Sequence, residues 1–440
     1  MIPNINKIAQ RVIIPVIVLI LLMVSSNINL KKDYSTGIIE ADGKGYYAYL
    51  PAMFIYHDLN FGFFDTIEKE KYYNENLQYD YRSYFRGKYI NKYFPGTALA
   101  MAPFFAIGHL VSVFLGYPLD GYSKYYTLFI NLASIFYLTL ACLFLLKLLR
   151  KYNIRGIYIF LVLFSIVFGT NVFYYSVIEF SMSHIYSFAF INMFIYYTKK
   201  YFNHYEVKLL PIIGLILGMV ILIRPVNILI IAMVPFLAGS FLRLINGMKV
   251  IVKNIPVLII SFLLFMIILS VQLAIYKIQT GHFWIYSYGE EGFNFFSPQI
   301  INFLFSYKKG LFLYTPLLVI SLAGGYYLFK KSRYTFFTLF GGLFLITYVF
   351  SSWWMWYYGG SFSSRVLIEY FAFFAILLGI ALHNLKLRWV RRTYIVIMVV
   401  LTIGCQIQTY QYRYNIIHWS DMTKEKYWEV FMRVDLLLKK

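Results

Sequence analysis

Long apolar runs alternate with short polar breaks over nearly the whole chain. A helix needs about 20 mostly apolar residues to cross a bilayer. Runs of this kind stand near 12–30, 125–147, 156–174, 183–198, 209–223, 226–242, 255–277, 311–329, 334–350, 366–383 and 393–411. The pattern predicts an all-α polytopic membrane protein with about eleven transmembrane helices. One further apolar stretch, 95–117, is interrupted: it opens on Pro95-Gly96, contains Pro103 and carries His109. Lys7 and Arg11 precede the run Val12 to Val24 in the manner of a secretory signal. No clear small-x-small cleavage site follows, so an uncleaved first span is expected.

Composition agrees with that pattern. Hydrophobic residues make up 60% of the chain and charged residues 13%, against roughly 25% charged in a soluble domain. The net charge of +21 raises the question of nucleic acid, but the basic residues fall in short clusters between apolar runs, as the positive-inside bias requires. If 95–117 does not cross, Lys7/Arg11, Lys147/Arg150/Lys151/Arg155, Lys199/Lys200, Arg243/Lys249/Lys253, Lys330/Lys331/Arg333 and Lys386/Arg388/Arg391/Arg392 all share one side, with Glu206 the only acid clearly beside them. If it does cross, five of those clusters move outside. The eleven-span arrangement is therefore preferred, with 95–117 lying along or dipping into the outer face as an interfacial helix. It places the N-terminus in the cytoplasm and the C-terminal tail outside. Cys142 and Cys405 lie within apolar runs, so no disulfide framework is expected. Neither a phosphate-binding glycine loop nor a Cys/His zinc spacing is present.

The same sorting places nearly every acid outside, together with the longest polar segments, 31–94, 278–310, 351–365 and 413–440. Chemistry is expected on that face. In "EADGKGYYAYLPAMF", residues 40–54, Asp42 precedes Gly43 and Gly45, and the aromatics that follow suit an interfacial helix. Asp42 either caps that helix or takes a proton from a hydroxyl nucleophile.

Further along, "NKYFPGTALAMAPFF" (91–105) sets Lys92 just before a proline-started segment. "GLILGMVILIRPVNILIIAMVP" (214–235) joins two apolar halves at Arg224-Pro225. An arginine at that depth needs a snorkelling route or an anion, and a lipid phosphate suits its fork of donors. Outer segment 286–316 supplies Glu290, Glu291, Lys308 and Lys309, which read equally as a solvated loop. "SSWWMWYYGGSFSSRVLIEYF" (351–371) packs Trp353, Trp354 and Trp356 beside a Gly pair, as an interfacial belt or a sugar-binding surface. Arg365 follows, with Glu369 four residues on, at the spacing of a helix-face pair. Tyr175, Glu179, His184 and Tyr186 are also expected to face outward, with His184 read as a hydrogen-bonded helix end.

These residues resemble the GT-C class of membrane glycosyltransferases, in particular the relatives of protein O-mannosyltransferases and aminoarabinose transferases. The resemblance rests on the acid of the first outer loop (Asp42, with Glu40 beside it) and on "KYFPGTALAMAP", with Lys92 in the charged position. It rests also on "GLILGMVILIRPVN" through Arg224, and on "WYYGGSFSSR" before a late span. The chain departs from the family where Phe94-Pro95 replaces a Pro-Pro pair and Glu-Ala-Asp replaces an Asp-Glu dipeptide.

The resemblance implies a catalytic membrane module over 1–277, with the first outer loop at 31–124, and variable membrane helices, outer loops and an external tail over 278–440. It implies transfer of a sugar from a polyprenyl-phosphate donor to a glycan, lipid or protein acceptor, with inversion, on the outer face of a bacterial plasma membrane. Asp42 or Glu40 would be the base, and Lys92, Arg224 and Arg365 would meet the donor phosphate. Tyr46, His184, Glu290 and Trp356 would line the substrate. Some relatives bind a divalent cation here, though Glu40 and Asp42 alone do not argue for one. Three other readings remain open: a lipid-linked glycan ligase or polymerase, a non-enzymatic lipid or glycan transporter, and a non-catalytic scaffold for envelope assembly.

Overall fold

The computed structural model describes residues 5–30, 39–75 and 78–438. The opening of the first outer loop, 31–38, lies outside the described residues.

In chain order, α1 (Ile5–Asn29) and α2 (Asp42–Phe54) precede an antiparallel hairpin of β1 (Arg82–Phe85) and β2 (Lys88–Asn91), in register from Arg82↔Asn91 to Phe85↔Lys88. Then come α3 (Gly96–Leu115), α4 (Lys124–Lys151), α5 (Gly156–Phe168), α6 (Val172–Val177), α7 (Ser183–His204) and α8 (Leu210–Ile223). A 3₁₀ segment, Pro225–Met233, leads into α9 (Val234–Ala238), α10 (Phe241–Lys253) and α11 (Ile255–Thr280). The remainder comprises α12 (Ile300–Phe305), α13 (Leu311–Tyr314), α14 (Leu317–Ser321), α15 (Ala323–Lys331) and α16 (Arg333–Ser351), then a 3₁₀ turn, Arg365–Tyr370, that runs into α17 (Phe371–Asn384). α18 (Arg388–Arg413) and α19 (Lys424–Val430) complete the order.

The chain is an all-α polytopic membrane protein. Among the described residues seven helices are long and apolar enough to cross a bilayer, or eight if the pair 225–238 and 241–253, bent by 117°, makes one span. Eleven were expected, and the difference has local causes. The runs at 156–174 and 209–223 form the shorter α5 and α8, and α7 is diluted by Ser, His, Asn and Tyr side chains that it buries against its neighbours. Of the remaining two, 226–242 follows a proline break at its start and runs as 3₁₀ helix before the short α9, and 311–329 is broken within at Pro316. Arg224, preceding Pro225, is forced out of the helix to φ −149°, ψ 113°. Thr315, preceding Pro316, is likewise non-helical at φ −129°, ψ 62°.

Six of the seven helices are therefore predicted runs, and the seventh is α3, at 20 residues and mean hydropathy 2.0. Both of its ends nevertheless meet the layer formed by 42–94. Tyr49 donates to the carbonyl of Tyr93 just before it, and Tyr56 donates to the carbonyl of Asp120 just after it.

Burial separates centre from periphery. The window within 365–384 is 89% buried and that of α11 only 17%, so the former is a core element and the latter faces lipid. Basic residues from separate loops gather at one end, where Lys151, Arg243 and Lys331 lie within electrostatic reach of Lys199. At the other end α2, the hairpin and the 278–310 and 351–365 loops close over the helices: Ser83 donates to the carbonyl of Ser287, and the amide of Asn294 to that of Ser352.

Candidate functional site

α2 begins at Asp42, in a backbone that resists an ordinary start. Ala41 is held at φ 46°, ψ −133°, a sparsely populated region that costs about 1–3 kcal/mol. Gly43 permits the close approach that follows, since a Cβ there would stand 2.0 Å from the Ser181 hydroxyl. α2 is thereby pressed against the turn that precedes α7.

Asp42 does not cap its helix. Its Oδ1 accepts from the Tyr93 hydroxyl at 2.7 Å and its Oδ2 from Arg365 Nη2 at 2.6 Å. Tyr93 in turn lies 2.5 Å, oxygen to oxygen, from the half-buried Tyr79. Burial pushes the Asp42 carboxyl up, but Arg365, the Tyr93 hydroxyl and Lys92 outweigh it and hold the group below the usual carboxylate range. Arg365 is also reached through strained backbone, with Ser363 at φ 60°.

Arg224, expelled from α8 by Pro225, points to a second acid, this one fully buried. Its Nη1 donates to Glu369 Oε1 at 2.7 Å and stands 3.2 Å from His184 Nδ1. His184 Nδ1 is also 3.2 Å from Glu369 Oε1. α3 starts beside this pair, because Gly96 packs on the backbone of Leu222 and Ile223, 2.3 Å from amide to the position of a Cβ. Tyr46 joins the two centres: its ring lies 4.6 Å from that of Tyr93, and its phenol interacts electrostatically with Arg224, Asp42 and Arg365. α2, α3 and α7 all begin here, and none of the three has a side-chain cap. The positive ends of their dipoles reinforce the positive character of the chamber.

Behind Arg365 a second polar group is buried. Glu179 Oε1 accepts from the Tyr174 hydroxyl at 2.8 Å, and its Oε2 has no partner. Burial raises this carboxyl to about 7, despite Arg365 and Tyr174. Lys309, whose ammonium donates to the carbonyl of Ser361, is lowered by burial to about 7, against the pull of Glu179. Arg365 Nε and Ser363 Oγ are likewise buried without partners. Such atoms are rare in folded proteins, and their gathering here marks a place that a polar ligand can complete.

The structure brings Asp42, Arg365, Arg224, Tyr46 and His184 into one centre. Lys92 lies at its edge, within electrostatic reach of Asp42, and its ammonium pairs with Glu291. Glu290 is exposed, and the acid of that loop that reaches the site is its neighbour Glu291, through Lys92. Trp356 packs on Tyr357 at 5.5 Å and against the helical core. Trp353 is the loop tryptophan nearer the centre, 5.7 Å from Tyr288, whose ring stands 6.4 Å from Tyr93. Glu40 is half-buried two residues before Asp42 and within electrostatic reach of Glu179.

Sequence reasoning missed Tyr93 and the role of Glu369. Tyr93 sits inside the quoted "NKYFPG" beside Lys92 and could have been found there. Glu369 was paired on spacing with Arg365, whereas it bonds to Arg224. Among the described residues no group of three or more His, Cys, Asp or Glu side chains is placed to hold a metal ion.

No protein-family model matches the sequence, and no curated protein matches it. Among solved structures the chain is similar to the crystal structure of the Archaeoglobus fulgidus oligosaccharyltransferase in its apo form, at a TM-score of 0.48 and 11% identity, over 95% of this chain and 57% of that one. The chain thus spans little more than half the length of that enzyme, and the likeness is too loose to carry an assignment.

Proposed function

We propose that this protein is a membrane glycosyltransferase that moves a sugar from a polyprenyl-phosphate donor to an acceptor hydroxyl on the extracytoplasmic face. The observation that supports it best is the pair of half-buried Asp42 with buried Arg365, set beside Arg224 where three uncapped helices begin. A carboxylate next to two guanidinium groups suits a reaction in which a proton is lost and a phosphate leaves.

The donor phosphate is received by Arg224 and Arg365, with Lys92 at the rim. Asp42 is the base. It is kept ionised, and each carboxylate oxygen retains a lone pair beyond its present bond. The acceptor oxygen attacks the anomeric carbon while its proton passes to Asp42. The bond from that carbon to the phosphate oxygen breaks, and its electron pair stays on the phosphate. Attack from the face opposite the phosphate inverts the anomeric centre. As the phosphate draws Arg365 away, Asp42 loses the neighbour that depresses its basicity, so it becomes a better base once the donor is bound. General-base catalysis of this kind contributes about 10²–10⁴-fold.

The test is a radiolabelled polyprenyl-phosphate sugar series given to the protein in nanodiscs, with free polyprenyl phosphate and labelled product followed together. Wild type is expected to release both, and Asp42→Asn to lose at least about a hundredfold in rate. An Asp42→Asn variant at full rate contradicts the reading. So does movement of the intact lipid-linked sugar across a bilayer with no covalent product, which is the behaviour of a transporter.

A further inference from the structure

Arg224 enters the chamber from a broken helix, at the start of a nine-residue 3₁₀ segment, longer than such segments usually run. Nothing in that local backbone fixes its guanidinium. What fixes it is a carboxylate from another element: Glu369, fully buried, accepts from Arg224 Nη1 at 2.7 Å. His184, 3.2 Å from both, closes the third side.

Glu369 belongs to the same 3₁₀ turn as Arg365. Four residues of 3₁₀ helix advance about 8 Å along the axis. One rigid, buried turn therefore holds Arg365 directly and Arg224 at one remove. The distance between the two cations is set by that turn, not by the flexible stems of the arginines.

We infer that Glu369 is a positioning residue that aims Arg224 at the anion also met by Arg365, with the turn 365–369 acting as the ruler between them. This rests on the functional reading above, since it supposes that the anion is a lipid phosphate. It goes beyond that reading by making an acid a requirement for binding an anion.

That requirement gives a sign test. If Glu369 only neutralised charge, its removal would leave the chamber more positive and tighten phosphate binding, equally for any uncharged replacement. A positioning role predicts the reverse and distinguishes the replacements. The probe is undecaprenyl phosphate, with affinity measured for the full-length protein in nanodiscs of neutral lipid. Glu369→Leu, which gives Arg224 no acceptor, is expected to weaken binding by about tenfold or more. Glu369→Gln, whose amide oxygen can still accept, is expected to stay within about threefold of wild type. With Arg224 already replaced by Ala, Glu369→Leu is expected to add no further loss. Glu369→Asp keeps the charge and shortens the reach by one methylene. It is expected to weaken binding, and it serves if the leucine variant does not fold. Tighter binding by the leucine variant, equal binding by the leucine and glutamine variants, or wild-type binding by the aspartate variant overturns the inference while leaving the transferase reading in place. Absence of undecaprenyl phosphate binding by the wild type overturns both.

Discussion

Arg365 and Glu369 stand four residues apart in one buried turn, yet each bonds to a different partner: Arg365 to Asp42 at 2.6 Å and Glu369 to Arg224 at 2.7 Å. The two pairs tie the first outer helix, the broken α8 and the start of α17 into one unit. Removing either member of a pair leaves a buried charge alone, which costs more than the pair itself contributes.

Arg365→Ala is expected to destabilise the protein, by less than the ~3–5 kcal/mol of a fully buried pair, because half-buried Asp42 loses its counter-charge inside the chamber. Arg365→Lys keeps the charge but not the planar fork, and should fold better while binding phosphate less well. Thermal denaturation in detergent, read beside undecaprenyl phosphate affinity, separates the two effects.

Gly96→Ala is expected to disturb the site from a distance. Its new Cβ would meet the backbone of Leu222 and Ile223, 2.3–2.5 Å away, so main chain must shift at the turn that delivers Arg224. Overpacking of this kind costs about 1–3 kcal/mol. A lower melting temperature with weaker phosphate binding is the expected outcome; a melting temperature equal to wild type contradicts the packing described.

Much of this was legible in the chain. The apolar runs mark the helices, and Asp42, Arg224 and Arg365 stand out because charge beside long apolar runs is rare. The break at Arg224-Pro225 was read as the junction of two apolar halves; that at Thr315-Pro316 was readable on the same ground, since the residue before proline is driven from helical backbone, yet the length of the run 311–329 hid it. What could not be read is pairing across the chain. Glu369 finds Arg224 over 145 residues and Lys92 finds Glu291 over 199. Such partners are chosen by how helices pack, so spacing pointed Glu369 at Arg365 and left Glu290 and Glu291 indistinguishable. Trp353 and Trp356 differ for the same reason: both are three residues apart in one loop, and only the fold decides which turns toward Tyr288.

Glu291→Gln is expected to strengthen phosphate binding. Lys92 is paired with Glu291, and an anion arriving at Lys92 must compete with that carboxylate. A several-fold gain in affinity for undecaprenyl phosphate, abolished in a Lys92→Ala background, is the expected pattern.

Glu179 and Lys309 predict a pH signature. The folded protein holds Glu179 near about 7, above its ordinary value, so its contribution to stability is present below the ordinary carboxylate range and is lost as pH rises toward 7. Lys309 is held near about 7, below its ordinary value. Between 7 and the usual lysine range the unfolded chain binds the extra proton, so stability rises with pH there. The groups facing the pair are Arg365, Glu40, Asp42, Lys308, Tyr174, Tyr175 and Tyr412. Together the pair contributes a stability minimum near neutral pH. Glu179→Gln is expected to flatten its acidic side in melting curves taken across pH, and an unchanged profile contradicts the assignment.

The central claim is that Arg365 leaves Asp42 to receive the donor phosphate. A density map of the full chain with undecaprenyl phosphate bound tests it most directly. The account predicts phosphate density held by both Arg224 and Arg365, with the Asp42–Arg365 bond opened and a carboxylate oxygen free; phosphate bound at the opposite, lysine-rich end, or beside an Asp42–Arg365 pair still closed, contradicts it.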